Sequence, residues 1–135
     1  MFEYTRNLRD LAKTATLAVP AAAANASGAA IDLEQVNGGI LENVQFEIAI
    51  PALPSLADAK VLTATVMDSA DGTTFAALDP TQVTTVTGVS TAGSAAKTVR
   101  FRMPPQARRY VGVNLAVEAA GGDNTAKSVT LSALF

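Results

Sequence analysis

From residue 31 to the C-terminus, apolar and polar residues alternate in short runs separated by turn formers. Val44, Phe46, Ile48 and Ile50 alternate with Asn43, Gln45, Glu47 and Ala49, and Pro51 and Pro54 follow. Successive side chains on a strand point to opposite faces, so this run predicts a strand with one buried face, ended by the prolines. Residues 60–67 are apolar and β-branched, and residues 68–73 read as a turn tightest at Asp71 and Gly72. Phe75 and Leu78 follow in a short segment. Residues 82–87 predict another strand, closed by Gly88. Val99, Phe101 and Met103 alternate with Thr98, Arg100 and Arg102 before Pro104 and Pro105 break the run. Arg109, Val111, Val113, Leu115 and Val117 predict the next inward row, Gly121 to Asn124 a turn, and Val129, Leu131, Ala133 and Phe135 the last strand.

The first residues differ. Tyr4, Leu8, Leu11 and Ala15 recur at helical spacing behind Thr5 as an N-cap, with Arg6, Arg9, Asp10 and Lys13 on the other side. So short a helix is marginal alone in water and needs a surface to lie on. That surface is either its own domain or another subunit. Residues 18–30 are Ala-rich, with Pro20, Asn25, Ser27 and Gly28, and read as an extended linker. The expected organisation is an N-terminal arm and linker over residues 1–30 and a β domain over residues 31–135. The expected fold is all-β: a two-sheet sandwich of about seven or eight strands, of jelly-roll or immunoglobulin-like type, preceded by an arm or short helix.

Length and composition fit one domain with its own core: 135 residues, 49% hydrophobic, much of it Ala. Charged residues are 16%, below the roughly 25% of ordinary domains, which suits a surface partly covered by neighbours. No run approaches the ~20 apolar residues that span a bilayer. Residues 16–24 have the small residues of a signal-peptide cleavage site, but Glu3, Asp10 and Pro20 argue against one.

Charge is unevenly placed. Asp32, Glu34, Glu42, Glu47, Asp58, Asp68, Asp71 and Asp79 crowd residues 31–79, with Lys60 as the base among them. Lys97, Arg100, Arg102, Arg108 and Arg109 crowd a short later stretch without an acid. If Val99, Phe101 and Val111, Val113 face inward, then Arg100, Arg102, Arg108 and Tyr110 face outward. Were those two strands hairpin partners, the arginines would share one patch. Such a patch is a solvated face paired with local carboxylates, a grip on an acidic partner surface, or a nucleic-acid contact. A net charge of −2 and the scarcity of aromatics disfavour the last.

Little in the sequence suggests catalysis. Without His or Cys there is no imidazole base and no thiolate. Ser128 and Lys127 are adjacent and would point to opposite faces of a strand, so they do not form a Ser/Lys pair. A glycosidase would add exposed aromatics to its carboxylates, whereas Phe46, Phe75, Phe101 and Phe135 read as core. Asp68 to Gly72 fails the spacing of a calcium loop and reads as a turn. Gly38–Gly39 and Gly121–Gly122 lack phosphate-loop patterns. The expectation is a non-enzyme with no cofactor, metal, nucleic acid, membrane or small-molecule substrate.

Several segments together resemble one family. Small residues 21–30 lead into Ile31, Asp32 and Leu33, and an alternating strand follows over 44–50. Asp68-Ser69-Ala70-Asp71-Gly72-Thr73-Thr74-Phe75 comes next, then Met103-Pro104-Pro105 and Arg109-Tyr110-Val111-Gly112-Val113, and a last alternating strand. In this order the chain resembles the jelly-roll cement proteins of tailed phages, the group named after the cement protein of a Bordetella phage. Its first dozen residues look more helical than that family. The resemblance implies a structural virion protein on the outer surface of the capsid. It would bind the major capsid protein, bridge capsomers, stabilise the shell and form homodimers or homotrimers. On this reading the partner-binding residues are Tyr4, Leu8 and Leu11 of the arm and Arg100, Arg102, Arg108 and Tyr110 of the β domain. The alternatives are another virion module, of tail or fibre, and a secreted carbohydrate-binding or adhesin domain.

Overall fold

A computed structural model of the chain describes residues 9–33, 45–78, 81–102, 104 and 107–134. These residues form nine strands and no helix: β1 (Arg9–Ala18), β2 (Asn25–Asp32), β3 (Gln45–Ile50), β4 (Val61–Ser69), β5 (Ala76–Ala77), β6 (Val83–Thr87), β7 (Lys97–Arg102), β8 (Tyr110–Val117) and β9 (Ser128–Leu134). They make two antiparallel sheets. The first has the order β1-β9-β3-β7. The second has the order β2-β8-β4, and the far edge of β4 is shared by β6 along Val61–Thr65 and by β5 at Met67 and Asp68. The pairing is nested, with first strand to last and second to next-to-last.

Period-two patterning builds the core. Phe46, Ile48 and Ile50 with Val129, Leu131 and Ala133 form the inner face of the first sheet. Leu62, Ala64 and Val66 with Val111, Val113, Leu115 and Val117 form that of the second. All of them are buried, and Leu53, Leu56, Leu78 and Val19 close the core from the connections. Burying one such large side chain contributes roughly 1.5–3 kcal/mol, which makes this layer the main stabilising element.

The start of the chain departs from expectation. Residues 9–18 are strand β1, not the end of a helix, and pair with β9 from Thr14↔Ser132 to Ala18↔Ser128. Residues 25–32 are strand β2, not linker, and pair with β8. The β body therefore begins by Arg9 and not at residue 31. The reason is backbone pairing. A short helix would bury one stripe, whereas a strand here gains a ladder along β9 and packs Ala15 and Leu17 on the core. Tyr4 and Leu8 lie outside the described residues, and of Leu11 the backbone alone is described. Among the described residues nine strands stand where about eight were expected, and Ala76 and Ala77 pair separately from β6.

Candidate interaction surface

The two arginine-bearing strands belong to different sheets. β7 pairs with β3, while β8 pairs with β2 and β4. The 103–109 connection crosses from one sheet to the other, so the hairpin condition for a joint patch is not met. Arg100 and Arg102 lie on the outer face of the first sheet, whereas Arg108 and Tyr110 lie at one end of the second.

Arginines of both sets have carboxylate partners. Arg100 Nε donates to Glu47 Oε2 at 3.0 Å, straight across the β3–β7 pair, and the Glu47 side chain is only 5% exposed. Arg108 Nη2 donates to Asp68 Oδ1 at 2.7 Å and to the Asp68 carbonyl at 2.9 Å, and the Arg108 backbone N–H donates to Asp68 Oδ2 at 3.0 Å. Arg109 was expected to point inward. It is exposed and makes a two-pronged contact with Asp32, Nε to Oδ1 and Nη2 to Oδ2, both 2.8 Å. Its guanidinium lies 5.2 Å from the Tyr110 ring centre. The strand begins one residue later, at Tyr110, so Arg109 escapes the inward row. Arg102 is exposed on edge strand β7.

Three of the segments that carry the family resemblance, at Asp32, residues 68–75 and residues 109–113, converge on one corner of the second sheet, whereas residues 45–50 and the last strand lie in the first sheet. Asp68 occupies the inward row of β4, one pleat beyond Val66, and is buried. Burial raises its pKa, but the Arg108 side-chain and backbone hydrogen bonds and the guanidinium charge outweigh that and hold it below the usual carboxylate range. Asp71 holds the adjoining turn. Its Oδ1 accepts from the N–H groups of Thr73 and Thr74, both at 2.8 Å, and from Ser69 Oγ at 2.8 Å. These bonds, the Thr74 and Thr73 N–H groups first, lower its pKa to about 2. A Cβ on Gly72 would lie 3.3 Å from the Tyr110 ring, and one on Gly112 would lie 3.2 Å from the Phe75 ring. Gly112 alternates with inward Val111 and Val113, so Phe75 lies across the outer face of the sheet. Phe75 is thus half-buried outside the core where the pattern placed it inside. Phe101 is also only half-buried, stacked on buried Phe46 at 5.7 Å between ring centres.

The opposite end is tied at backbone level. Leu53 and Ser94 exchange N–H···O bonds of 3.0 Å, Ala57 N–H reaches the Gly121 carbonyl at 3.3 Å, and Gly88 and Lys60 bond at 2.8 Å. Asn124 Oδ1 accepts from Ser55 N–H at 3.1 Å. Each of the four connections there holds one non-glycine residue in the left-handed region: Ala23, Ala59, Thr91 and Ala120. This end is stiff because its loops bond one another rather than water alone.

Between the sheets, a cleft of about 50 Å³ opens beside β6 and β7, lined by Ile48, Val66, Gln82, Val83, Val99 and Arg100 among others. It is too small for a drug-sized ligand, which fills at least ~300 Å³. Among the described residues, no three carboxylates gather into a group that could hold a metal ion. No family model matches the chain, and no curated protein matches it.

What the pattern missed is the architectural use of the corner residues. Asp32, Asp68 and Gly112 are held by partners distant in sequence. The one local signal was a glycine between two valines, which marks a close approach inside a strand.

Proposed function

We propose that the chain is a capsid cement protein of the tailed-phage jelly-roll type. It binds the outside of the major capsid protein shell, bridges neighbouring capsomers, and associates with itself as a dimer or trimer. The observation that carries this reading is the convergence of three of the resemblance segments. Asp32, residues 68–75 and residues 108–112 are far apart in sequence and meet in one braced corner, so they serve as the signature of a fold and not as a reaction site. The strand orders support the jelly-roll form. If β5 and β6 are two pieces of one split edge strand, the nested pairing is that of an eight-strand hairpin rolled into two sheets.

A stiff body suits a brace. Loops tied to one another lose little freedom on docking, so more of the contact energy stabilises the bound state. Binding that exists only on an assembled shell favours assembly by mass action, and many repeated weak contacts add avidity.

The test compares binding of the purified chain to expanded shells and to isolated capsid subunits, with electron microscopy of the particles. Density outside the shell and preference for shells are expected. Virions lacking such density overturn the reading. Arg102→Glu is the charge variant to use, because Arg102 is exposed, whereas Arg100→Glu would set a second carboxylate against buried Glu47. Arg102→Glu is expected to fold normally and to bind shells more weakly at physiological salt; undiminished binding removes Arg102 from the interface.

A further inference from the structure

Among the described residues, the outer edges of the two sheets are β1, β7, β2 and the β5–β6 side of β4. A free edge invites another strand, and proteins guard edges with charge, proline or bulges. β7 carries Lys97, Arg100 and Arg102, so two copies of it would set like charges together. β1 carries Lys13, and β2 is interrupted by a register shift between Gly28 and Ile31. β6 reads Val-Thr-Thr-Val-Thr, with no charge, no proline and an unbroken register on β4.

The backbone of β6 is oriented for pairing. The Gln82 carbonyl accepts from Val66 N–H at 2.9 Å and Gly88 N–H donates to the Lys60 carbonyl at 2.8 Å, so the even positions face β4. By alternation, the N–H and C=O groups of Val83, Thr85 and Thr87 face away from it. The Thr85 carbonyl is met there by the ammonium of exposed Lys97 at 2.9 Å, a contact easily exchanged. The odd side chains of β6, Val83, Thr85 and Thr87, are exposed on its outer face, and Val89, two residues past the strand and bridged to Gly93, is exposed as well. Val83 is 54% and Val89 62% exposed, and these are the exposed large hydrophobics among the described residues. The row Val83-Thr85-Thr87-Val89 reads the same in both directions.

We propose that a second copy of this chain pairs antiparallel along β6, about a two-fold axis at Val86. Thr85 then exchanges backbone hydrogen bonds with Thr87 of the second copy, and Val83 packs against Val89 of the second copy. A palindromic, uncharged edge suits an isologous contact, since the same patch must complement itself. The contact is small and is therefore weak in free solution. It rests on the self-association part of the proposed function, not on its capsid part.

The test is sedimentation equilibrium of the full chain from about 10 μM to about 1 mM, the range in which small interfaces associate. Wild type is expected to dimerise within it. Val83→Lys combined with Val89→Lys is expected to weaken dimerisation at least roughly tenfold, because each substitution acts twice across the axis. Circular dichroism and melting should be unchanged, since both side chains are exposed. Thr85→Pro is the second variant. It removes an N–H that faces away from β4, and so blocks the added strand while leaving β6 on its own sheet. Dimerisation of both variants at wild-type strength overturns the β6 interface but leaves self-association standing. A wild type that stays monomeric throughout the range overturns both.

Discussion

Replacing Arg108 with alanine leaves the Asp68 carboxylate stranded at the end of the core. The Asp68 side chain is 10% exposed, and the guanidinium supplies one hydrogen bond to it and one to its carbonyl. Breaking a buried ion pair costs about 3–5 kcal/mol, and a hydrogen bond to a charged group contributes about 1.5–3 kcal/mol. Arg108 itself is 41% exposed and its backbone N–H remains in the variant, so the lower end applies. The expected loss is about 2–3 kcal/mol, or roughly 10 °C in melting temperature for a domain of this size. Arg102→Ala, on an exposed edge, is the control and should change stability by under about 0.5 kcal/mol. The pH dependence separates this mechanism from simple loss of packing. In the wild type the folded pKa of Asp68 is lowered, so the pair's contribution is complete above the ordinary carboxylate pKa of about 3.9 and is lost as pH falls through the folded value. Without the guanidinium, burial is less opposed and the carboxyl protonates at higher pH. The gap between wild type and variant should therefore narrow from about pH 7 to about pH 2.5. Thermal melts across that range measure it. Equal melting temperatures at neutral pH, or a gap that does not change with pH, would refute the reasoning.

Asp71→Ala removes the acceptor that orders the 69–74 turn, and its melting temperature should fall at neutral pH. Because the folded pKa is lowered to about 2, that deficit should be complete above the ordinary carboxylate pKa and vanish as pH falls through 2, which a pH series of melts would show. Gly122 and Ala120 should respond in opposite directions. A Cβ on Gly122 would lie 1.9 Å from the Ser55 carbonyl oxygen, with φ at +81°, so Gly122→Ala should cost about 3 kcal/mol or more by denaturant unfolding. Ala120 has φ +61° and already bears the left-handed strain, so Ala120→Gly should stabilise by up to about 1 kcal/mol.

The alternation that places Phe46, Ile48 and Ile50 opposite Val111 and Val113 was legible because burial on one face imposes a period of two. Residues 9–18 were misread because Leu8, Leu11 and Ala15 satisfy helical spacing, while Leu11, Ala15 and Leu17 also share one parity of a strand, interrupted by Lys13. Only the presence of β9 as a pairing partner decides between them, and that partner lies more than a hundred residues away. The Ala-rich β2 carries little hydrophobic contrast, so no periodicity could announce it. Arg100 was read correctly as outward-facing, whereas Arg108 lies before β8 and bonds Asp68 of the inward row, and sharing a face depends on which strands pair. The jump of the 103–109 connection between sheets is a tertiary fact, invisible to alternation within either strand.

The pairing of the first strand with the last has a kinetic consequence. During synthesis, β1 leaves the ribosome with no partner and must wait for residues 128–134, and β2 must wait for β8. Neither layer can zip from its N-terminal side before β8 and β9 have been made, so closure comes late and is slow, as long-range contacts dictate. A nascent chain stalled before residue 128 would expose its inner rows and depend on chaperones until the final strand arrives.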